Sequence, residues 1–188
     1  MRIIHFSDFH LQGGKILILH KINAEKLLDA LRKVNKQKKI DLVVFGGDLI
    51  DRCGESFSSP TEGFKTFEEI VLLPIKSELG LTNEHIVIVP GNHDKDVSLL
   101  PKGVDSLMKS LGTETKVMKF LFSDNSANEN MKGMLAYYAF RDAFYNGIAE
   151  YSKSETDFAS CLKLQIEGKN IGIAMLNTAW GCTAKSGE

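Results

Sequence analysis

Three short apolar runs, separated by helical patterns, constrain the fold of this chain more than any other feature of its sequence. The runs lie at residues 2–6, 40–45 (IDLVVF) and 85–89 (HIVIV). The first run is short and rich in residues that favour strands, and the second and third are largely apolar, which is typical of strands buried on both faces. Apolar residues at helical spacing occupy the two intervals, from about 23 to 38 and from about 62 to 79. This alternation predicts a largely parallel sheet with right-handed crossovers.

The second half of the chain is less regular. We expect the following segments there: a short helix over 104–111, a strand over 115–122, a polar loop over 123–130 and a helix over 134–145. Apolar and polar residues alternate over 158–166, and an apolar stretch returns over 171–176 after a Gly-Lys-Asn turn, which predicts a β-hairpin. Pro74 lies inside the second long helix and predicts a kink or an interruption.

The composition fits one globular domain with a substantial core, since 43% of the 188 residues are hydrophobic. The net charge of -1 gives no sign of a basic nucleic-acid surface, although a local patch is compatible with it. The chain has no long apolar run and no signal-peptide core, so we expect no membrane span and a cytoplasmic location. The three widely spaced cysteines predict reduced thiols rather than a disulfide framework or a zinc ribbon.

A polar motif follows each of the three predicted strands. The motifs are Asp8-Phe9-His10, then GDLIDR from Gly47, then GNHD from Gly91. Each is weak alone, because an aspartate at a strand end often caps a turn and a lone histidine is more often structural. In open α/β sheets, however, ligands bind at the edge where the carboxyl ends of the strands meet. The three motifs are therefore expected to converge on one site.

The order D-x-H, G-D-x-x-D-R, G-N-H-D resembles that of the calcineurin-like metallophosphoesterases. The spacing matches over residues 2–95, and beyond them the resemblance is weaker, with Asn177 in a segment similar to a later strand of the family. The resemblance implies an α/β fold, a β-sandwich of two sheets flanked by helices, truncated after its first half to two-thirds. Residues 1–188 would then belong to a single domain.

The resemblance also implies a two-metal site that hydrolyses phosphate esters. Asp8 and His10 would bind the first metal, Asp48 would bridge both metals, and Asn92 would bind the second through its amide oxygen. Carboxylate, imidazole and amide ligands suit manganese, iron or zinc better than calcium, and manganese is the ion we expect. Two ions about 3.5–4 Å apart can hold both the attacking and the leaving oxygens of an in-line displacement.

Further roles follow from the same resemblance. His93 would protonate the leaving oxygen as a general acid, and Asp94 would orient His93 or tune its charge. Asn92 and Arg52 would contact the substrate phosphate. Asp51 would contact the metal ligands and hold them in place without binding the metal itself.

The chain departs from the family in one respect. The family's site uses further histidines from two later motifs, one of them G-H-x-H, whereas the five histidines of this chain end at His93. We therefore expect an N-terminal part of a longer protein, whose other domains would be its partners, with the later ligand motifs missing. A short natural protein completed by a partner chain is the alternative. In either case, the chain as given should bind metal weakly and turn over poorly.

The predicted function is metal-dependent hydrolysis of a phosphate ester, of the phosphodiesterase or nuclease type. Nucleic acid or a nucleotide is the substrate class to consider. Two alternatives stay open: a non-catalytic interaction or scaffold domain that retains the fold, and a protein phosphatase. The intact motif residues argue against the first alternative, and nothing in the sequence decides the second.

Overall fold

A parallel sheet of three strands forms the first half of the computed structural model, which describes residues 1–121, 131–155 and 157–183. Its strands are β1 (Ile3–Phe6), β2 (Leu42–Phe45) and β3 (Ile86–Ile88), in the order β1-β2-β3. Phe45 pairs with Phe6 on one side and with Ile88 on the other, so the three strands end level with one another. The predicted parallel sheet is confirmed.

Helices form both crossovers of this sheet. The first crossover contains α1 (Leu17–Gln37), and the second contains α2 (Pro60–Phe67) and α3 (Leu73–Leu79), joined by a π-helical turn over Glu68–Leu72. Pro74 stands in the first turn of α3, directly after the π-helical turn. Proline has no N–H to donate to the preceding turn, and the widened π-helical turn is a common way to absorb such a break. The predicted interruption is therefore observed.

The described residues of the second half form three shorter helices and an antiparallel sheet. The helices are α4 (Val104–Ser110), α5 (Glu114–Leu121) and α6 (Leu135–Phe144). The strands are β4 (Tyr151–Lys153), β5 (Ala159–Ile166) and β6 (Lys169–Leu176), in the order β4-β5-β6. The predicted hairpin is confirmed as β5 and β6, and the loop predicted over 123–130 lies outside the described residues.

The strand predicted over 115–122 is wrong, because residues 115–121 belong to α5, and residue 122 lies outside the described residues. Val117 and Phe120 stand three residues apart, which is helical spacing, and Phe120 is buried in a stacked contact with the ring of Trp180. The segment also contains glutamate and lysine, which favour helices. Its few apolar residues fit both a helical and an alternating pattern, and tertiary packing selects the helix.

Two tyrosine hydroxyls form hydrogen bonds with backbone groups along the outer edge of β3. The Tyr145 hydroxyl donates to the carbonyl of Ile86 at 2.8 Å and accepts from the amide of Ile88 at 3.0 Å. The Tyr137 hydroxyl donates to the carbonyl of Ile88 at 3.0 Å. Buried backbone groups need such partners, and an edge strand would otherwise leave them unpaired. These contacts join α6 to the strand that leads into the GNHD motif.

The two sheets share one hydrophobic core. Buried residues of the parallel sheet, such as Val43, belong to the same cluster as Leu162 of β5 and Met175 of β6. The expected α/β architecture of two sheets flanked by helices is therefore confirmed, while the assignment of residues 1–188 to one domain stays a prediction. None of the described helices is both long and apolar enough to cross a membrane.

Candidate metal centre

Backbone hydrogen bonds join the loop after β1 to the loop after β2. The amide of Asp8 donates to Gly47, that of His10 to Asp48, and that of Leu11 to Leu49, at 3.2, 2.9 and 3.1 Å. This ladder continues the strand pairing beyond the end of the sheet. It fixes the register of the first motif against the second, so the structure brings them together as expected.

The third motif packs against the second at two glycines. A Cβ atom on Gly47 would lie 2.5 Å from the amide nitrogen of Gly91, and one on Gly91 would lie 2.1 Å from Oδ1 of Asp48. Gly47 also has a φ of 109°, which side chains rarely adopt. The Oδ1 atom of Asp48 then accepts a hydrogen bond of 2.8 Å from the amide of His93. Only glycine permits this approach of the two loops.

Three of the predicted metal ligands have left-handed backbone conformations. The φ angles of Asp8, His10 and Asp48 are 58°, 45° and 54°. A non-glycine residue in this region carries a strain of about 1–3 kcal/mol, which persists only where the surrounding structure fixes it. The ladder between the loops supplies that constraint, and the strained backbone turns these side chains towards one another.

Asp8, His10 and Asp48 form a cluster that could hold a cation. The Nε2 atom of His10 lies 3.7 Å from Oδ1 of Asp8 and 3.7 Å from Oδ2 of Asp48. One ligand atom from each residue lies within 4.8 Å of the other two. The Asp8 side chain is 66% exposed and that of Asp48 only 13%, so the cluster opens to solvent on one side. Two carboxylates and one imidazole suit a divalent transition metal.

The Asp51 carboxylate lies between two imidazole rings. Its Oδ1 atom is 2.9 Å from Nδ1 of His93 and 3.6 Å from Nδ1 of His10, and the rings cross edge to face with centroids 4.4 Å apart. The backbone amide of Arg52 lies 3.3 Å from the same nitrogen of His93. The charged acceptor at the shorter distance is the stronger partner, so we assign the Nδ1 proton of His93 to a hydrogen bond with Asp51.

The Asp94 carboxylate lies among backbone amides of the second and third motifs, while the role expected of it towards His93 stays a prediction. Its Oδ1 atom accepts from the amides of Leu49 and Ile50, at 2.9 and 3.2 Å, and its Oδ2 atom accepts from Gly91 at 2.9 Å. Complete burial raises the pKa of Asp94 to about 7, although the backbone amides favour the charged form. Asp94 therefore fixes the second motif to the third, and Asp51 contacts His93.

Asn92, His93 and Arg52 line one open cleft of about 700 Å³ beside these clusters. Asn92 is half-buried, whereas the Arg52 side chain is exposed and lies 3.4 Å from a carboxylate oxygen of Glu55. The cleft continues past Phe57 and the serine-rich loop that precedes α2. The structure thus brings the predicted substrate-binding residues to the same opening as the proposed acid.

Sequence reasoning missed two residues that organise this region, Gln12 and Lys95. Gln12 follows the D-x-H motif closely, and its side-chain amide donates to Oδ2 of Asp51 at 3.0 Å. Lys95 follows GNHD, and its buried Nζ donates to the carbonyls of Trp180 and Cys182 at 2.7 and 2.9 Å. Their positions beside the motifs were the only available signal, because both contacts depend on how distant segments fold together.

Comparison with known proteins agrees with this fold. The family model described as calcineurin-like phosphoesterase matches residues 1–162. The chain belongs to the calcineurin-like phosphoesterase family. The match extends well beyond residues 2–95, where the motifs lie, and includes the first half of the β5 strand.

Two relatives are similar over part of their length. The Bacillus subtilis (strain 168) protein YydB, described as an uncharacterized metallophosphoesterase-like protein, is 24% identical over 148 residues, covering 77% of this chain and 28% of that protein. An Escherichia coli (strain K12) protein described as a subunit of the nuclease SbcCD is 27% identical over 99 residues, covering 53% of this chain and 22% of that protein. The chain thus spans less than a third of the length of either relative.

Proposed function

We propose that this chain carries part of a two-metal centre that hydrolyses phosphate diesters. The observation that supports the proposal most is the cluster of Asp8, His10 and Asp48, whose ligand atoms lie within 4.8 Å of one another. These residues come from two loops at the carboxyl edge of a parallel sheet, where α/β proteins bind ligands. The third loop at that edge carries Asn92 and His93.

In this proposal, Asp8 and His10 would hold the first metal, Asp48 would be shared between the two metals, and Asn92 would hold the second. Bound divalent cations, manganese first with iron or zinc as alternatives, supply positive charge to the phosphate and acidify a water molecule. Asp48 is the best placed of the four to be shared, because one of its oxygens faces His10 while the other accepts the amide of His93.

His93 acts as the general acid in this proposal. Its Nδ1–H donates to Asp51, which leaves Nε2 to carry a proton to the leaving oxygen. Arg52 and Asn92 line the cleft next to His93 and would contact the phosphate oxygens. Asp94 contributes by holding the second and third loops together.

Nucleic acid or a nucleotide is the substrate class that we propose. The support comes from the similarity to a protein that is named as part of a nuclease. We further propose that the chain acts within a longer protein, because it spans only a small part of the relatives that it matches. The free thiols of Cys53, Cys161 and Cys182 are compatible with a cytoplasmic location, which we include in the proposal.

Hydrolysis of bis-p-nitrophenyl phosphate with manganese by the full-length protein tests this function. We expect Asp48→Ala to abolish turnover, because the bridging carboxylate is lost, whereas Asp29→Ala, which removes an exposed carboxylate on α1, should leave it unchanged. His93→Ala should lower the rate most with a substrate that has a poor leaving group. Equal rates for all variants would favour the non-catalytic scaffold, and activity confined to phosphate monoesters would favour a protein phosphatase.

A further inference from the structure

The Asp51 carboxylate is held from two sides. Its Oδ1 atom contacts Nδ1 of His93 at 2.9 Å, and its Oδ2 atom accepts a hydrogen bond of 3.0 Å from the side-chain amide of Gln12. A carboxylate with a partner on each oxygen cannot rotate about its last bond without losing one of them. The contact with Gln12 therefore sets the orientation of the Asp51 oxygen that contacts His93.

The backbone of Gln12 is itself fixed. Its amide donates to Nε2 of His20 in α1 at 3.2 Å, and the next amide, that of Gly13, donates to Oγ of Ser56 at 2.8 Å. A Cβ atom on Gly13 would lie 2.4 Å from the carbonyl oxygen of Ser56, so the two loops are in close contact. Gln12 thus lies between α1 and the loop that follows the second motif. Its backbone is held in place by these contacts, and its side chain reaches Asp51.

The ladder between the first two loops sets the position of Gln12 relative to Asp51. The amide of Leu11 donates to Leu49 at 3.1 Å, and the amide of Asp51 donates back to Leu11 at 3.0 Å. Leu11 also forms a parallel bridge with Ile50 and is fully buried. Because the register is fixed on both sides of Leu11, the next side chain along the chain reaches the carboxylate of Asp51.

We propose that Gln12 is a positioning residue, whose side-chain amide holds Asp51 in the orientation that fixes the imidazole ring of His93. This inference rests on the proposed role of His93 as the general acid. A general acid has to keep its proton directed at the leaving oxygen, and a small misplacement of a catalytic group can lower the rate greatly. The described hydrogen bonds of Gln12 go to His20 and Asp51, so in this proposal it acts on His93 through Asp51.

The dependence of the rate on the leaving group tests the inference. p-Nitrophenolate leaves without a proton, whereas phenolate is a poorer leaving group that benefits from the acid. With the full-length protein and manganese, we expect Gln12→Leu to lower kcat for diphenyl phosphate about tenfold. The kcat for bis-p-nitrophenyl phosphate should change less than about twofold, and the KM values should not change.

Two further variants sharpen this test. Gln12→Glu places a like charge against Asp51 and should show the same selective loss. Gln165→Leu makes the same replacement at an exposed glutamine on β5, whose amide donates to the neighbouring Asn170, and should behave as the wild type. An equal loss for both substrates in Gln12→Leu, or no loss for either, would overturn the inference.

A spectroscopic measurement separates this inference from the proposed function. Nitrogen-15 NMR of the metal-free 188-residue protein should show a slowly exchanging Nδ1–H on His93, and Gln12→Leu should accelerate its exchange with water. An unchanged signal in Gln12→Leu would count against the role of Gln12, even if the protein is active. Hydrolysis of neither diester by the wild type would refute the proposed function, while the NMR result would still decide whether Gln12 orients His93.

Discussion

The carboxylate of Asp94 accepts a hydrogen bond of 2.9 Å from the backbone amide of Leu49, a residue 45 positions earlier in the chain. The contact is completely buried, and the same carboxylate also accepts the amides of Ile50 and Gly91. One side chain therefore satisfies three backbone donors from two of the loops that form the site. Asp94 therefore stabilises the packing of these two loops against each other.

Asp94→Ala should destabilise the fold strongly. It leaves three backbone N–H groups without their acceptor, two of them buried and that of Gly91 partly buried, and a donor left unpaired in this way costs about 1–3 kcal/mol. We expect the free energy of unfolding to fall by at least about 3 kcal/mol, measured by urea denaturation of the metal-free protein. Asp29→Ala, at an exposed carboxylate that pairs with Arg32, should cost less than about 1 kcal/mol. A similar small cost in both variants would contradict this account.

The free energy of unfolding of the metal-free protein should also depend on pH, because Asp94 titrates with a raised pKa. Burial raises the pKa of this carboxyl to about 7 in the folded state, so between about pH 4 and pH 7 the folded chain binds a proton that the unfolded chain has released. The contribution of Asp94 to stability should therefore decrease as the pH rises through this window. Its slope can reach about 1.4 kcal/mol per pH unit.

Asp94→Asn removes this titration and provides the reference. The difference in unfolding free energy, wild type minus Asp94→Asn, should fall from pH 4 to pH 7 and stay level above pH 7. Denaturant unfolding over that pH range, with a chelator present to remove metal, measures the difference. A difference that rises with pH would mean that the folded state lowers the pKa of Asp94.

Gly91→Ala should disrupt the metal centre directly. The new Cβ would lie 2.1 Å from Oδ1 of Asp48 and 2.4 Å from its backbone nitrogen, so the second loop has to move. We expect a loss of at least about 1–3 kcal/mol of stability and loss of manganese binding, measured by denaturation and by titration calorimetry. Gly112→Ala is the matched control, because its Cβ would meet no atom within 4 Å. Normal metal binding in Gly91→Ala would show that the close approach is dispensable.

The 188-residue chain alone should bind manganese weakly. The described residues form two groups of candidate ligands, one of Asp8, His10 and Asp48 and one of His10, Asp51 and His93, and in the second group Asp51 and His93 already contact each other. The sequence contains no histidine after His93, so this chain supplies no imidazole from the later motifs of the family. Isothermal titration of the chain should give weak binding that Asp48→Ala abolishes. Tight binding at two sites per chain, together with full phosphodiesterase turnover, would show that the ligand set present here is sufficient.

Much of the first half could be predicted from the sequence, because its signals are local. Apolar runs and turn residues predict β2 and β3 with small errors at their ends, and the order of elements predicts the parallel sheet. The helical pattern predicts the beginning of α1 about six residues too late. The side chains of Ile18 and Leu19 are 65% and 60% exposed in its first turns, so no apolar stripe marks this part of the helix.

The candidate site was predictable in its ligands but not in its contacts. The motifs predict that Asp8, His10 and Asp48 converge, because strand order determines which loops meet. The partner of His93 depends on side-chain directions across segments more than 40 residues apart, and in the structure this partner is Asp51. The contact of Gln12 with Asp51 has the same origin, and no local pattern in the sequence reports it.

The hydrogen-bond ladder between the first two loops should slow local unfolding of the site. Loops usually exchange their amide hydrogens with water quickly, whereas core strands open only with the whole fold. The amides of His10, Leu11 and Asp51 are bonded across the two loops as the amides of strands are. They should therefore exchange at rates close to those of β2, and the site should be one of the last regions to open.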